Sequence, residues 1–367
     1  MQDVTTDSTG SNSQSQPDRV VLEILQLGFP WPVVDPFIVA VHHVDDYPAS
    51  NLGMGPETFD GRRDSNADPS SPGWSMYYGR VVPGFPQHPH RGFETVTFVR
   101  KGVIDHSDSL GATARYGSGD VQWLTAGKGI QHAEMFPIRD QGGPNPSELF
   151  QIWLNLPAAE KMVDPYFTML WREDVPNIVL KDDAGRSTEV TVVAGAFEDV
   201  QPLAAPPESW ASKKEAEVAI WQFLAEPSSE WTLPRTARNE TVRSVYVFEG
   251  SLEIDGTTLE APLGAVLRSD TPVAVRTGSD GAQAIILQGR PIGEPVVMGG
   301  PFVMNSHQEI EEAYRDYHST DSVDGPGKLP TRCTHGRPHV SLTTPAAGPS
   351  IPRVEKRFAS CMPRRWL

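Results

Sequence analysis

Two short pairs carry the chemistry this sequence could perform: His88-Pro-His90 and, further on, His132-Ala-Glu134. Each pair has i, i+2 spacing, which on a β-strand points both side chains to one face. Two such strands side by side can aim three imidazoles and a carboxylate at a single point. Neutral nitrogens with one anionic oxygen suit a divalent first-row metal, and an open coordination position on that ion is where oxygen or substrate chemistry takes place. The plainer alternative is a set of ordinary surface or core histidines among the 10 in the chain. Two i, i+2 pairs in one region weigh against it.

Such pairs must be held on strands, and the composition provides for them. At 367 residues the chain is long enough for two domains. Gly 32 and Pro 34 favour a turn-rich, mainly β architecture over a helical one. The formal net charge of −16 disfavours nucleic acid and anionic membrane surfaces as partners. Cys333 and Cys361 are the two cysteines, too few for a disulfide framework or a thiolate metal site. No apolar run reaches transmembrane length, and the first residues lack the basic and apolar regions of a secretory signal. A cytoplasmic protein is the resulting expectation.

Along the chain, residues 1–19 are polar and small and read as a disordered tail. Residues 50–73 read as a long surface loop. Short runs of β-formers follow, at 77–82, 95–99, 121–124 and 149–156, separated by Gly-containing turns. A second series, at 218–224, 244–248, 251–254, 265–267, 273–276 and 284–287, repeats that rhythm, with Gly250 placed as Gly102 is in the first. The two halves read as a diverged repeat. Ile310, Ala313, Tyr314 and Tyr317 predict a helix over 307–318. The second block holds no histidine between His132 and His307; Thr236 and Arg238 stand where the first has His88 and His90. That block is expected to be structural or partner-binding.

His88-Pro-His-Arg-Gly-Phe-Glu-Thr-Val-Thr97, Gln122-Trp-Leu-Thr-Ala-Gly127, His132-Ala-Glu-Met135, Glu160-Lys-Met-Val-Asp-Pro165 and Gly300-Pro-Phe-Val-Met-Asn305 together resemble the pirins, two-cupin proteins of the cupin superfamily. The resemblance covers roughly residues 30 to 318. It implies a mainly β fold of two consecutive cupin (double-stranded β-helix, or jelly-roll) barrels with few short helices. The expected division is 20–158 for a metal-binding barrel, 159–318 for a barrel without metal ligands, and 319–367 for an irregular basic tail. It implies one divalent metal ion, Fe(II) first, held by His88, His90, His132 and Glu134. The general cupin pattern offers Glu94 as the carboxylate instead. With Glu134 as ligand, Glu94 is expected to orient an imidazole.

The activity implied is that of a quercetin 2,3-dioxygenase, with a small aromatic flavonol or catechol and O2 as substrates, the protein a monomer, and Glu134 accepting the substrate's hydroxyl proton. The other reading is a regulatory protein whose metal redox state governs binding to a transcription factor or metabolic enzyme. His42, His43, His106, His307 and His318 keep the bland reading, His106, His307 and His318 as surface residues. Arg91 and Lys128 either draw in an anionic substrate or form structural ion pairs. Phe85, Phe93, Trp123 and Met135 are expected in the core.

Residues 321–367 carry eight Lys/Arg against three Asp/Glu, a sharp change from the preceding chain. Longer bacterial sequences resembling this one continue with Phe-Gly-Gly-Trp-Pro-Trp after the final helix. Codons GAT-TCG-GTG-GAT-GGC-CCT-GGN for Asp321–Gly327 spell that hexapeptide from their third base. The tail reads either as a basic disordered interaction arm or as the product of a frameshift near Thr320, the favoured reading, and the nucleotide sequence decides between them.

Overall fold

The computed structural model describes residues 19–64, 68 and 71–324. Its first barrel faces two antiparallel sheets toward each other. One has the order β10-β7-β4-β9-β2, with β2 at Phe37–Tyr47, β4 at Phe93–Lys101, β7 at Val121–Thr125, β9 at Asn145–Asn155 and β10 at Tyr166–Leu170. The other is β3-β8-β5-β6, with β3 at Gly84–His90, β5 at Val103–Asp108, β6 at Thr113–Gly117 and β8 at Ile130–Met135.

The second barrel is one nine-stranded sheet. It runs β1 (Val21–Gln26), β17 (Leu263–Leu267), β15 (Val242–Ile254), β18 (Val273–Gly289), β13 (Ala219–Ala225), β12 (Ser187–Ala194) and β11 (Asn177–Lys181). β14 (Glu230–Leu233) joins β18, and β16 (Thr257–Glu260) joins β15. Gly102 and Gly250 both adopt positive φ, 80° and 69°, Gly102 between β4 and β5 and Gly250 at a register shift inside β15.

Several boundaries differ from the expected ones. β1 pairs with β17 of the second barrel, whereas β10 pairs with β7 of the first, so each barrel borrows a strand from beyond residue 158 or before it. Such long-range pairing leaves no local trace in sequence. A hairpin of β19 (Val297–Gly299) and β20 (Phe302–Met304) leads into α1 (His307–Asp324). α1 runs past residue 319, where an irregular tail was expected; the rest of that tail, and the 1–18 segment, lie outside the described residues. The expected strand at 77–82 is instead turn, with Tyr77 at φ 52°. The strand begins at Gly84, which has φ 127° and where a Cβ would lie 2.4 Å from the Glu134 carbonyl oxygen. The expected strands 244–248 and 251–254 are one strand, β15, and 273–276 and 284–287 are both within β18.

Alternation along β4 separates two cores. Thr95, Thr97 and Val99 turn into the first barrel, while Val96 and Phe98 join Trp123, Phe150, Ile220, Tyr246 and Ile285 between the barrels. The five-stranded sheet is thus covered on its outer face by the second barrel, and the metal-motif sheet closes its inner face.

Candidate metal centre

β8 lies between β3 and β5, and its register places His132 directly opposite His88 on one side and Asp108 on the other. Glu134 faces His106 across the β5–β8 ladder and Phe85 across β3–β8. A bulge between Phe85 and His88 shifts β3, which turns the His-Pro-His pair toward β8. Ring centroids of His88, His90 and His132 lie 4.4–4.9 Å apart. One nitrogen from each falls within 4.8 Å of the others.

Hydrogen bonding fixes which nitrogens are free. His88 Nδ1 lies 2.9 Å from the Pro86 carbonyl oxygen, and His90 Nδ1 lies 3.1 Å from that of Pro301. A carbonyl only accepts, so each Nδ1 carries the proton and each Nε2 presents its lone pair. Both ring nitrogens of buried His132 have no hydrogen-bond partner. An orphaned buried imidazole costs roughly 1–3 kcal/mol unless something binds it. Burial, and then the neighbouring His88, hold His90 down at about 3, and burial puts His132 well below the usual histidine range. Neutral imidazoles are the form a metal requires. The donor set fits the implied ion.

Glu134 is buried, and burial raises its carboxyl above the usual carboxylate range. Its Oε1 lies 3.3 Å from Thr97 Oγ1, and the Tyr116 hydroxyl nearby donates to Gln122 Oε1. Its carboxylate groups with His132 and His106 rather than joining all three of His88, His90 and His132 at once.

Glu94 is elsewhere. Its carboxyl accepts from Thr125 Oγ1 and from Ser209 Oγ, both at 2.6 Å, on the face shared with Val96 and Phe98 between the barrels. Counting parity from His90 fails because Gly92, at φ 84°, turns the chain from one sheet into the other. Glu94 is thus neither the carboxylate at the centre nor the partner of an imidazole there; burial raises it to about 7.

His106 corrects another expectation. It is 3% exposed, stacks on Phe167, and its Nε2 lies 3.0 Å from Asp108 Oδ2. His106-Ser-Asp108 is itself an i, i+2 pair, the signal that could have found it. His42 and His43 are buried too, their rings apart: His42 pairs with Glu148, His43 with the Tyr77 hydroxyl. Arg91 is a structural pair, its guanidinium bonded to Asp316 of α1 and to the Lys128 carbonyl oxygen. Lys128 pairs with Asp164. Phe93 and Trp123 are core residues, Phe93 packing on His90, whereas Phe85 and Met135 are half-buried.

Among the described residues the second barrel has no comparable set. Thr236 donates to the Ser269 carbonyl oxygen, Arg238 is exposed, and the interior is Val190, Val192, Trp221, Phe223, Trp231, Val245 and Val247. No described helix is long and apolar enough to cross a membrane.

Comparison with known proteins agrees with this geometry. Residues 64–154 match the pirin domain, and residues 220–322 match the pirin C-terminal cupin domain. A Pseudomonas aeruginosa protein provisionally named quercetin 2,3-dioxygenase is 39% identical over 242 residues, 64% of this chain and 79% of its own. A pirin-like protein of Solanum lycopersicum is 36% identical over 243 residues, 64% of this chain and 75% of its own. The crystal structure of quercetin 2,3-dioxygenase from Acinetobacter baumannii superposes with a TM-score of 0.63 at 25% identity, covering 84% of this chain and 99% of that one. With the pirin domain and the pirin C-terminal cupin domain matched in that order, the chain belongs to the pirin family.

Proposed function

We propose that this protein is a metal-dependent dioxygenase that oxidises flat hydroxylated aromatics of the flavonol or catechol type, quercetin among them, with O2. The observation that carries it is the convergence of His88, His90 and His132 with free nitrogens beside a buried carboxyl. The similarity to proteins named quercetin 2,3-dioxygenase supports the reaction class. His88, His90, His132 and Glu134 would hold the ion, Fe(II) first. When bound, such an ion supplies Lewis acidity and a path for electron transfer from an electron-rich aromatic to O2.

The protein's own groups do the rest. His90 and His132 are buried, and His88 is the partly exposed imidazole, so substrate approaches from the His88 side. Phe85, its ring 6.3 Å from that of His88, and exposed Tyr78, 5.9 Å from Phe85, form an aromatic rim for a flat ligand. Glu134, raised by burial, is suited to accept the proton of a substrate hydroxyl. Phe93, Trp153 and Phe167 pack on His90 and His106 and limit water behind the centre. Both atoms of O2 enter the product, so no further reductant is needed.

The test is anaerobic reconstitution with Fe(II), then O2 uptake on quercetin. One O2 consumed per quercetin, abolished in H88A/H132A, supports the proposal. Stoichiometric metal without uptake on quercetin or other catechols rejects it in favour of a regulatory role. One observation favours that second reading: His90 is bonded to Pro301 in the turn of the β19–β20 hairpin, a contact through which metal state would reach the surface beyond the first barrel.

A further inference from the structure

We infer that the centre has a second, inner donor set, His106, His132 and Glu134, able to hold a divalent first-row ion without His88 and His90. The inference deepens the proposed metal-centre reading and rests on it. Three strands present i, i+2 pairs side by side: His88/His90 on β3, His132/Glu134 on β8 and His106/Asp108 on β5. β8 is the middle strand, so its His132 and Glu134 are shared between an outer and an inner neighbour.

His106 has the preparation of a ligand. Its Nε2 donates to Asp108 Oδ2 at 3.0 Å, and the other oxygen of Asp108 accepts from the Leu110 and Ala112 amides, which pins the carboxylate. A carboxylate holding one imidazole nitrogen is the arrangement that orients metal-bound histidines and leaves the second nitrogen as a lone pair. That second nitrogen, Nδ1, is buried with no hydrogen-bond partner. Donor atoms of His106, His132 and Glu134 all lie within 4.8 Å of one another. Ligands on one ion at roughly 2.0–2.2 Å are separated by at most about 4.4 Å, so small side-chain rotations close the set. Two imidazoles and a carboxylate with open positions is the donor set of non-haem Fe(II) oxygenases, whereas the outer set has three imidazoles beside the same carboxylate. A single ion thus has two overlapping seats that share His132 and Glu134.

Co(II) binding, followed by equilibrium dialysis and by visible absorption, tests this without relying on turnover. H88A/H90A should still bind one Co(II) per chain, weakened on the order of 100-fold and with an altered spectrum. Adding H106F should remove that residual binding. If H88A/H90A is folded by circular dichroism and binds no Co(II), or binds it equally well with H106F, the inner set is wrong while the outer centre stands. H106F alone, which keeps a ring against Phe167, guards against misfolding of the double variant. It should shift the Co(II) spectrum and weaken binding several-fold, and an unchanged spectrum and affinity would overturn the inference. Failure of the wild-type protein to bind Co(II) removes both the centre and its inner seat.

Discussion

The two barrels share a fold and differ in what they enclose. The second fills itself with Val190, Val192, Trp221, Phe223, Trp231, Val245, Val247 and Ile286, which is what burial of apolar area favours. The first keeps His88, His90, His106, Asp108, His132 and Glu134 on inward faces of three adjacent strands, with both nitrogens of His132 and Nδ1 of His106 unpartnered. Polar groups buried in this way cost stability unless a ligand satisfies them. One scaffold therefore serves twice: as an optimised core, and as a frame that spends stability to hold donors in place. The interface between them, built on Phe98, Phe150, Tyr246 and Ile285, lets the first lean on the second.

The largest expected effect breaks the first barrel's side of the comparison. His132→Ala removes the imidazole common to both sets and should drop metal content from one ion per chain to none by elemental analysis, with the fold retained. The mirror experiment strikes the second barrel. Phe223, 2% exposed and stacked on Trp231, is pure core; Phe223→Ala should cost about 3–5 kcal/mol in denaturant unfolding and leave metal stoichiometry unchanged. Loss of metal in that variant would show that the barrels do not divide the work.

Gly92 sharpens the contrast at the join. A Cβ there would lie 2.0 Å from the Val303 carbonyl oxygen, at φ 84°. Gly92→Ala should push the β19–β20 hairpin off the first barrel, at roughly 1–3 kcal/mol, and loosen the Pro301 bond to His90. Faster metal release by chelator competition is the expected readout, with the second barrel unaffected.

A smaller effect concerns acid. Glu148 is held at about 2; burial raises it, but the hydrogen bond from His42 and the pairs with Arg100 and Lys101 outweigh that. Arg100 also reaches Gln283 of β18, so this cluster ties the barrels together. A carboxylate lowered in the folded state stabilises above its unfolded value near 4.5, and that contribution fades as pH falls from there toward about 2. Unfolding midpoints of wild type and Glu148→Gln should therefore differ most near neutral pH and converge in acid. A constant gap would contradict the linkage.

The ligand pairs were legible because i, i+2 spacing on a strand is a local rule, and His88, His90 and His132 came together as that rule implies. The rest failed where geometry stops being local. Glu94 was misplaced because the turn at Gly92 resets parity between sheets. His106 was passed over because one histidine beside a Ser-Asp reads as polar surface until β5 is known to lie next to β8. The exchange of β1 and β10 between barrels, and the return of β20 to Arg91, are long-range pairings with no signature in either strand. The two-barrel architecture survived because turn rhythm and motif order carry it.

The central claim is that the first barrel alone is a metal-dependent oxygenase centre. Its most direct test is metal content and O2 uptake measured together on protein reconstituted anaerobically with Fe(II), beside H88A/H132A. The account predicts one iron per chain and quercetin-dependent uptake in the wild type, with neither in the variant. Iron bound equally by H88A/H132A, or uptake that persists without those histidines, would contradict it.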